Sequence, residues 1–127
     1  MKKLLLAALF PIALLAGCAS LSGGGEPARM KDGMMVNAKG MTLYTFDRDA
    51  TGSGKSACNG DCAVKWPPHM ATASDQSRGD WSIVVRNDGS RQWAYKGKPL
   101  YAWVKDQKPG DKTGDGVANN AWHTAKE

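Results

Sequence analysis

Cysteine and histidine are the scarcest chemically able residues, with three Cys and two His in 127 residues. Cys58 and Cys62 lie in Cys58-Asn-Gly-Asp-Cys62, where Asn-Gly-Asp suits the tight turn that a short disulfide needs. The spacing differs from the Cys-x-x-Cys of thiol redox proteins and from the Cys-x-x-Cys-His of haem attachment. Two thiolates also fill only half of a zinc site. A structural disulfide is therefore the expected state of this pair. His69 and His123 follow Trp66 and Trp122 at loosely equivalent places, and they could meet if two halves of the chain pack together. With Met70 they are weak candidates for copper or haem ligation. Two ligands do not define a site, so no cofactor is assigned.

Carboxylates offer two further readings. Asp49 and Asp106 each open a Gly-rich loop, where a carboxylate can accept hydrogen bonds from loop N–H groups. Calcium ligation is the alternative, with Asp106, Asp111 and Asp115 in one loop and Asp47, Asp49 and Asp61 in the other. Neither loop has EF-hand spacing. Catalysis has little to draw on. The chain lacks a Gly-x-Ser-x-Gly elbow, a phosphate-binding loop after a strand and a His-Glu-x-x-His. It is expected not to be an enzyme. Basic residues are interleaved with acidic ones, as in Lys105-Asp106, and the formal charge of +5 includes Lys2 and Lys3 near the start. A nucleic-acid footprint is not expected.

The N-terminus carries an address. Met1-Lys2-Lys3 is a positive start, and Leu4 to Leu15 is an apolar run too short to span a bilayer. Leu15-Ala16-Gly17-Cys18 resembles the lipobox of bacterial lipoproteins. In such proteins the Cys receives a diacylglycerol, the signal is cut before it and the new N-terminus is acylated. Several acyl chains on Cys18 would make a stable anchor. The Ser/Gly-rich stretch that follows has the composition of a flexible tether. The residue after Cys18 is Ala rather than Asp, which favours the outer membrane in a Gram-negative cell.

The rest of the chain is organised by a repeat. Lys39-Gly-Met-Thr-Leu-Tyr-Thr-Phe-Asp-Arg-Asp49 recurs as Lys96-Gly-Lys-Pro-Leu-Tyr-Ala-Trp-Val-Lys-Asp106, 57 residues later. Asp32-Gly33 answers Asp88-Gly89, and Trp66 answers Trp122. Nothing before Lys31 matches the strand Trp81–Arg86, so copy one is expected to be cut short at its start. Period-two alternation in Trp81–Arg86, the turn at Asn87-Asp88-Gly89 and resumption over Gln92–Tyr95 predict a β-hairpin. Further strands are expected over Met41–Phe46 and Lys98–Val104. In these, Tyr44, Phe46, Tyr101 and Trp103 face one way, while Leu43 and Leu100 face the other. The only helical signal is about one turn at Cys62–Trp66. The fold class is all-β, mostly antiparallel, in one small domain of two diverged repeats with long polar loops. Large aliphatics are few, so the motif aromatics are expected in the core. Trp66 and Trp122 are left open.

Tyr44-x-Phe46-x-x-Asp49 and Tyr101-x-Trp103-x-x-Asp106 match the Tyr-x-(Phe/Trp/Tyr)-x-x-Asp signature. On this motif the chain resembles the bacterial secreted-repeat lipoproteins, which combine a lipobox, a tether and tandem repeats. The resemblance implies architecture and location rather than a reaction. The expected organisation is a signal peptide at residues 1–17, the lipidated Cys and tether at 18–29, and the repeat domain at 30–127. Copy one covers about 30–70 and copy two about 81–125. The expected function is a lipid-anchored, non-catalytic binding or structural module of the cell envelope. Its partners are the membrane and possible envelope proteins. The alternative is a periplasmic metal- or haem-binding, redox-associated lipoprotein.

Overall fold

The computed structural model describes residues 26–127. The signal segment, Cys18 and the first part of the tether lie outside the described residues. Copy one opens with a hairpin of β1 (Arg29–Lys31) and β2 (Met34–Val36), paired from Arg29↔Val36 to Lys31↔Met34. Its turn, Asp32-Gly33, has φ of 52° and 82°, the left-handed pair that a type I′ turn requires and Asp-Gly accommodates. Copy one, expected to be cut short at its start, keeps its opening hairpin in a short form. The strands are only three residues long and all of β1 is exposed, so no buried, alternating pattern marks them.

Copy two has the longer version. β4 (Trp81–Val85) pairs with β5 (Arg91–Tyr95), and β5 pairs with β6 (Lys98–Pro99) across a Lys96-Gly97 turn. β3 (Tyr44–Phe46) pairs with β7 (Trp122–Thr124). All these pairings are antiparallel, as expected for the all-β class. The expected strands Met41–Phe46 and Lys98–Val104 are shorter than their patterns suggested, because each segment changes partner along its length. Thr42 bridges Val36, Tyr44 bridges Tyr101, and Tyr101 also bridges Pro68. The helical turn expected near Cys62 is α1 (Asp61–Lys65). At the corresponding place in copy two is α2 (Val117–Asn120), where Ala118 and Asn119 wind left-handed at φ 58°.

The two copies exchange their tails. Lys65 to Ala71, the end of copy one, lies against copy two: Ala102 N–H donates to Pro67 O (2.7 Å), His69 N–H to Leu100 O (2.8 Å) and Val104 N–H to Lys65 O (3.1 Å). The end of copy two lies against copy one through β7, with Asp47 N–H donating to Ala121 O (2.8 Å) and Ala125 N–H to Leu43 O (2.8 Å). At the centre, Tyr44 and Tyr101 exchange both backbone bonds, N–H to O at 2.7 and 3.0 Å. These matched bonds relate the copies by a local pseudo-two-fold.

Two cores lie on opposite sides of the central segments, as the alternation of Leu43 and Tyr44 demands. One holds Leu43, Leu100, Met35, Trp81 and Trp93. The other holds Tyr44, Tyr101, Trp103, Trp66 and Trp122, with Phe46 and Cys62 packed against it. Hairpin β4–β5 departs from simple alternation. Trp81 is buried but so are Val84 and Arg86 on the opposite phase, with Val85 60% exposed, and Gln92, Trp93 and Ala94 are buried in succession.

Candidate functional site

The motif residues meet across the pseudo-two-fold. Tyr44 Oη donates to Asp106 Oδ2 and Tyr101 Oη donates to Asp49 Oδ2, both at 2.6 Å. Each tyrosine thus engages the aspartate of the other copy, and both phenol side chains are fully buried. The second carboxylate oxygen performs the expected loop-tying role. Asp49 Oδ1 accepts Ala57 N–H (2.6 Å), while Asp106 Oδ1 accepts Thr113 N–H (2.9 Å) and Thr113 Oγ1–H (2.7 Å). Each Asp therefore joins its own loop to the other repeat. Burial first, and the carboxylate partner second, hold both phenols well above the ordinary tyrosine value, so they stay protonated donors. Burial also raises Asp49; the bonds from Tyr101 and Ala57 and the charge of Arg86 oppose that rise.

The aromatic members build a ladder on the same axis. Trp66 and Trp122, which the sequence left open, form its centre with ring centroids 3.7 Å apart and planes within 1°. Trp103 stacks on Trp66 at 3.9 Å, and Phe46 stacks on Trp122 at 4.1 Å. The order Phe46, Trp122, Trp66, Trp103 alternates between the copies. The tyrosines meet the central pair edge-on: Tyr44 on Trp66 at 5.4 Å and Tyr101 on Trp122 at 5.1 Å. Gly114 makes the packing possible, because a Cβ there would come within 2.7 Å of the Trp66 ring.

A buried polar cluster braces copy one's loop, and the sequence reading missed it. Arg86 donates to Gln92 Oε1 (2.7 Å), Ser56 Oγ (3.0 Å) and Cys58 O (2.6 Å). Gln92 passes the chain on to Leu100 O (2.7 Å), and Ser56 Oγ contacts Tyr101 Oη (2.6 Å). An Arg at the end of an alternating strand reads as solvent-facing. Only the loop carbonyl and hydroxyl delivered from far along the chain let it be buried. The same loop is closed by a Cys58–Cys62 disulfide, with Cα atoms 5.2 Å apart.

The other candidate ligands have different employment. His69 Nε2 is 2.7 Å from Pro27 O, and burial lowers its pKa. His123 Nε2 is 2.9 Å from Asp47 Oδ2 at the surface. Met70 is half exposed. Each imidazole is committed to a different neighbour, and no group of three or more His, Cys, Asp and Glu suited to a metal occurs among the described residues. The calcium alternative has its oxygens engaged elsewhere. Asp111 accepts from Gln107 and Lys108, and Asp115 accepts Thr124 N–H. An open surface groove of about 600 Å³ is lined by Glu26, Arg29, Met30, Asp80, Trp81 and Tyr95 among others. It lies beside Glu26, the first of the described residues.

The fold and its central clasp define a small all-β domain made of two interlocked repeats. A family model described as a secreted repeat of unknown function matches residues 28–70 and again 82–126, and the chain belongs to that family. The family is one of secreted proteins, which places the chain in the envelope or outside the cell. No curated protein and no solved structure matches the chain. Among the described residues no helix is long and apolar enough to cross a membrane.

Proposed function

We propose that this protein is a lipid-anchored, non-catalytic interaction module of the cell envelope, held by Cys18 and contacting partners through the groove beside its tether. One observation carries the reading: the motif side chains are spent on one another inside the domain. Tyr44, Tyr101, Asp49 and Asp106 close a buried clasp, and the Trp residues around them close a core. That leaves binding to the surface. The groove combines Trp81, Tyr95 and Met30 with Arg29 and Asp80, a mixture of aromatic, Met and Arg typical of protein contact patches. Its position beside Glu26 puts it on the side from which the domain would be suspended.

Two measurements test the parts separately. Metabolic labelling with a fatty acid should mark the wild-type chain and be lost in Cys18→Ser, which should also leave the membrane fraction. Label persisting in the variant would refute the anchor. For the groove, a photo-crosslinking amino acid at Met30 should give discrete adducts in intact cells, and one at Val64, which is 71% exposed on α1, should not. Equal adducts at both positions, or none at Met30, would refute the contact face.

A further inference from the structure

The tryptophan ladder and the tyrosine–aspartate clasp together form an arrangement that a core does not require. Three indoles stack with centroids 3.7–3.9 Å apart, close enough for their π systems to overlap. Edge-on to the inner two are phenols, each bonded at 2.6 Å to a carboxylate. Indole and phenol are the side chains most easily oxidised by one electron, apart from thiols. A phenol loses an electron far more readily when its proton has an acceptor at hydrogen-bond distance. Both tyrosines have one. The outer indole, Trp103, also borders a shallow surface cavity with Val104, Lys105 and Thr113.

We propose that the ladder is a one-electron conduit, in which an oxidant at the Trp103 face draws an electron through Trp66 and Trp122 and the hole comes to rest on Tyr101 or Tyr44. The oxidant is of the one-electron class, a small radical or an oxidised metal complex, and it is reduced by one electron. Trp103 is refilled by Trp66 and Trp66 by Trp122. The tryptophan beside the phenol takes its electron from the tyrosine, whose O–H proton passes to the bonded aspartate. The net change is Tyr–OH and Asp–COO⁻ to Tyr–O• and Asp–COOH, with the electron on the oxidant. The two ends differ. Beside its phenol, Asp49 accepts one loop donor, whereas Asp106 accepts two from Thr113, so the Asp49 carboxylate is the freer to take the proton and Tyr101 is the preferred resting place. This function is independent of the groove and of the anchor, and it concerns the interior that the interaction reading leaves as structure.

The test uses the folded domain in a Tyr95→Phe background. Tyr95 is the third tyrosine and packs on Trp81 at 4.8 Å, so its removal confines any tyrosyl signal to the clasp. Laser flash oxidation by a ruthenium(III) polypyridyl complex, followed by transient absorption, separates tryptophanyl from tyrosyl radicals. A tryptophanyl signal that decays into a tyrosyl signal is expected, with formation of the latter slowed severalfold in heavy water. Asp49→Asn should lower the tyrosyl yield severalfold, and Asp49→Asn with Asp106→Asn should nearly abolish it while tryptophanyl radical still forms. If those variants unfold, the pH dependence of the parent serves instead. Tyrosyl yield should fall as acid protonates the aspartates. A long-lived tryptophanyl radical with no tyrosyl successor would overturn the proposal, as would a tyrosyl yield indifferent to both the Asn substitutions and acid.

Discussion

Asp49 and Asp106 each hold three things: their own loop, the tyrosine of the other repeat and, through it, the edge of the indole stack. Replacing one by Ala orphans a buried phenol and a loop N–H. Hydrogen bonds to charged acceptors are worth about 1.5–3 kcal/mol, and each kcal/mol moves the melting temperature of a domain this size by about 4–8 °C. Asp49→Ala and Asp106→Ala should each lower the melting temperature by roughly 10 °C, equally with calcium or with chelator. Asn, which keeps one acceptor oxygen, should cost less. Calcium-dependent stabilisation of the wild type, abolished in the variants, would instead make these residues metal ligands. Gly114 is the second sensitive residue. A methyl group there meets Trp66 at 2.7 Å and Trp103 at 3.0 Å, and overpacking of this kind costs about 1–3 kcal/mol. Gly114→Ala should therefore lower the melting temperature. It should also weaken the exciton signal of the stacked indoles in circular dichroism, which a loop-only effect would leave intact.

At the scale of elements, the segment from Trp66 to Ala71 joins the copies, and His69 is its pivot. Its N–H and C=O engage Leu100 and Trp93, while its ring engages Pro27 O. Burial lowers the His69 pKa below the free value of about 6.5. Below that value the unfolded chain takes up a proton that the folded chain resists, so this contribution is complete above about pH 6.5 and is lost as pH falls through the folded value. Asp49 has the opposite sign. Its raised folded value means that the contribution is present at the acid side and lost as pH rises through that value. Denaturant unfolding should show stability falling from pH 7 towards pH 5, with a shallower slope in His69→Gln, which retains a side-chain donor but no titration. An unchanged slope in His69→Gln would show that the histidine does not titrate with folding.

Tail exchange has its consequence for the whole molecule. Copy one alone would lose Tyr101 from its central bridge, β7 from β3, and Trp122 and Trp103 from both faces of Trp66. A fragment spanning residues 26–80 should give no cooperative thermal transition. Mixing it with a fragment spanning 81–127 should restore the near-ultraviolet signal of the stacked indoles. A cooperative melt from the first fragment alone would mean that the repeats fold independently.

Much of this organisation is carried by local pattern. The two Tyr-x-aromatic-x-x-Asp motifs mark the two repeats, and period-two alternation sends Leu43 and Leu100 to one core and Tyr44 and Tyr101 to the other. Asp-Gly marks a hairpin turn, and the Cys58–Cys62 spacing marks the disulfide. These features depend on neighbours within a few residues, so a linear chain displays them. What the chain does not display is which copy supplies each partner. The bond from Tyr44 to Asp106 spans 62 residues and that from Tyr101 to Asp49 spans 52. A carboxylate before a Gly-rich loop looks complete once its loop N–H groups are counted. Trp66 and Trp122 become the centre of the molecule only because tail exchange brings them together, and Arg86 becomes a buried brace only because the Ser56–Cys58 loop of the other repeat reaches it. Sequence sets the two faces of each strand; the pseudo-two-fold closure decides what they face.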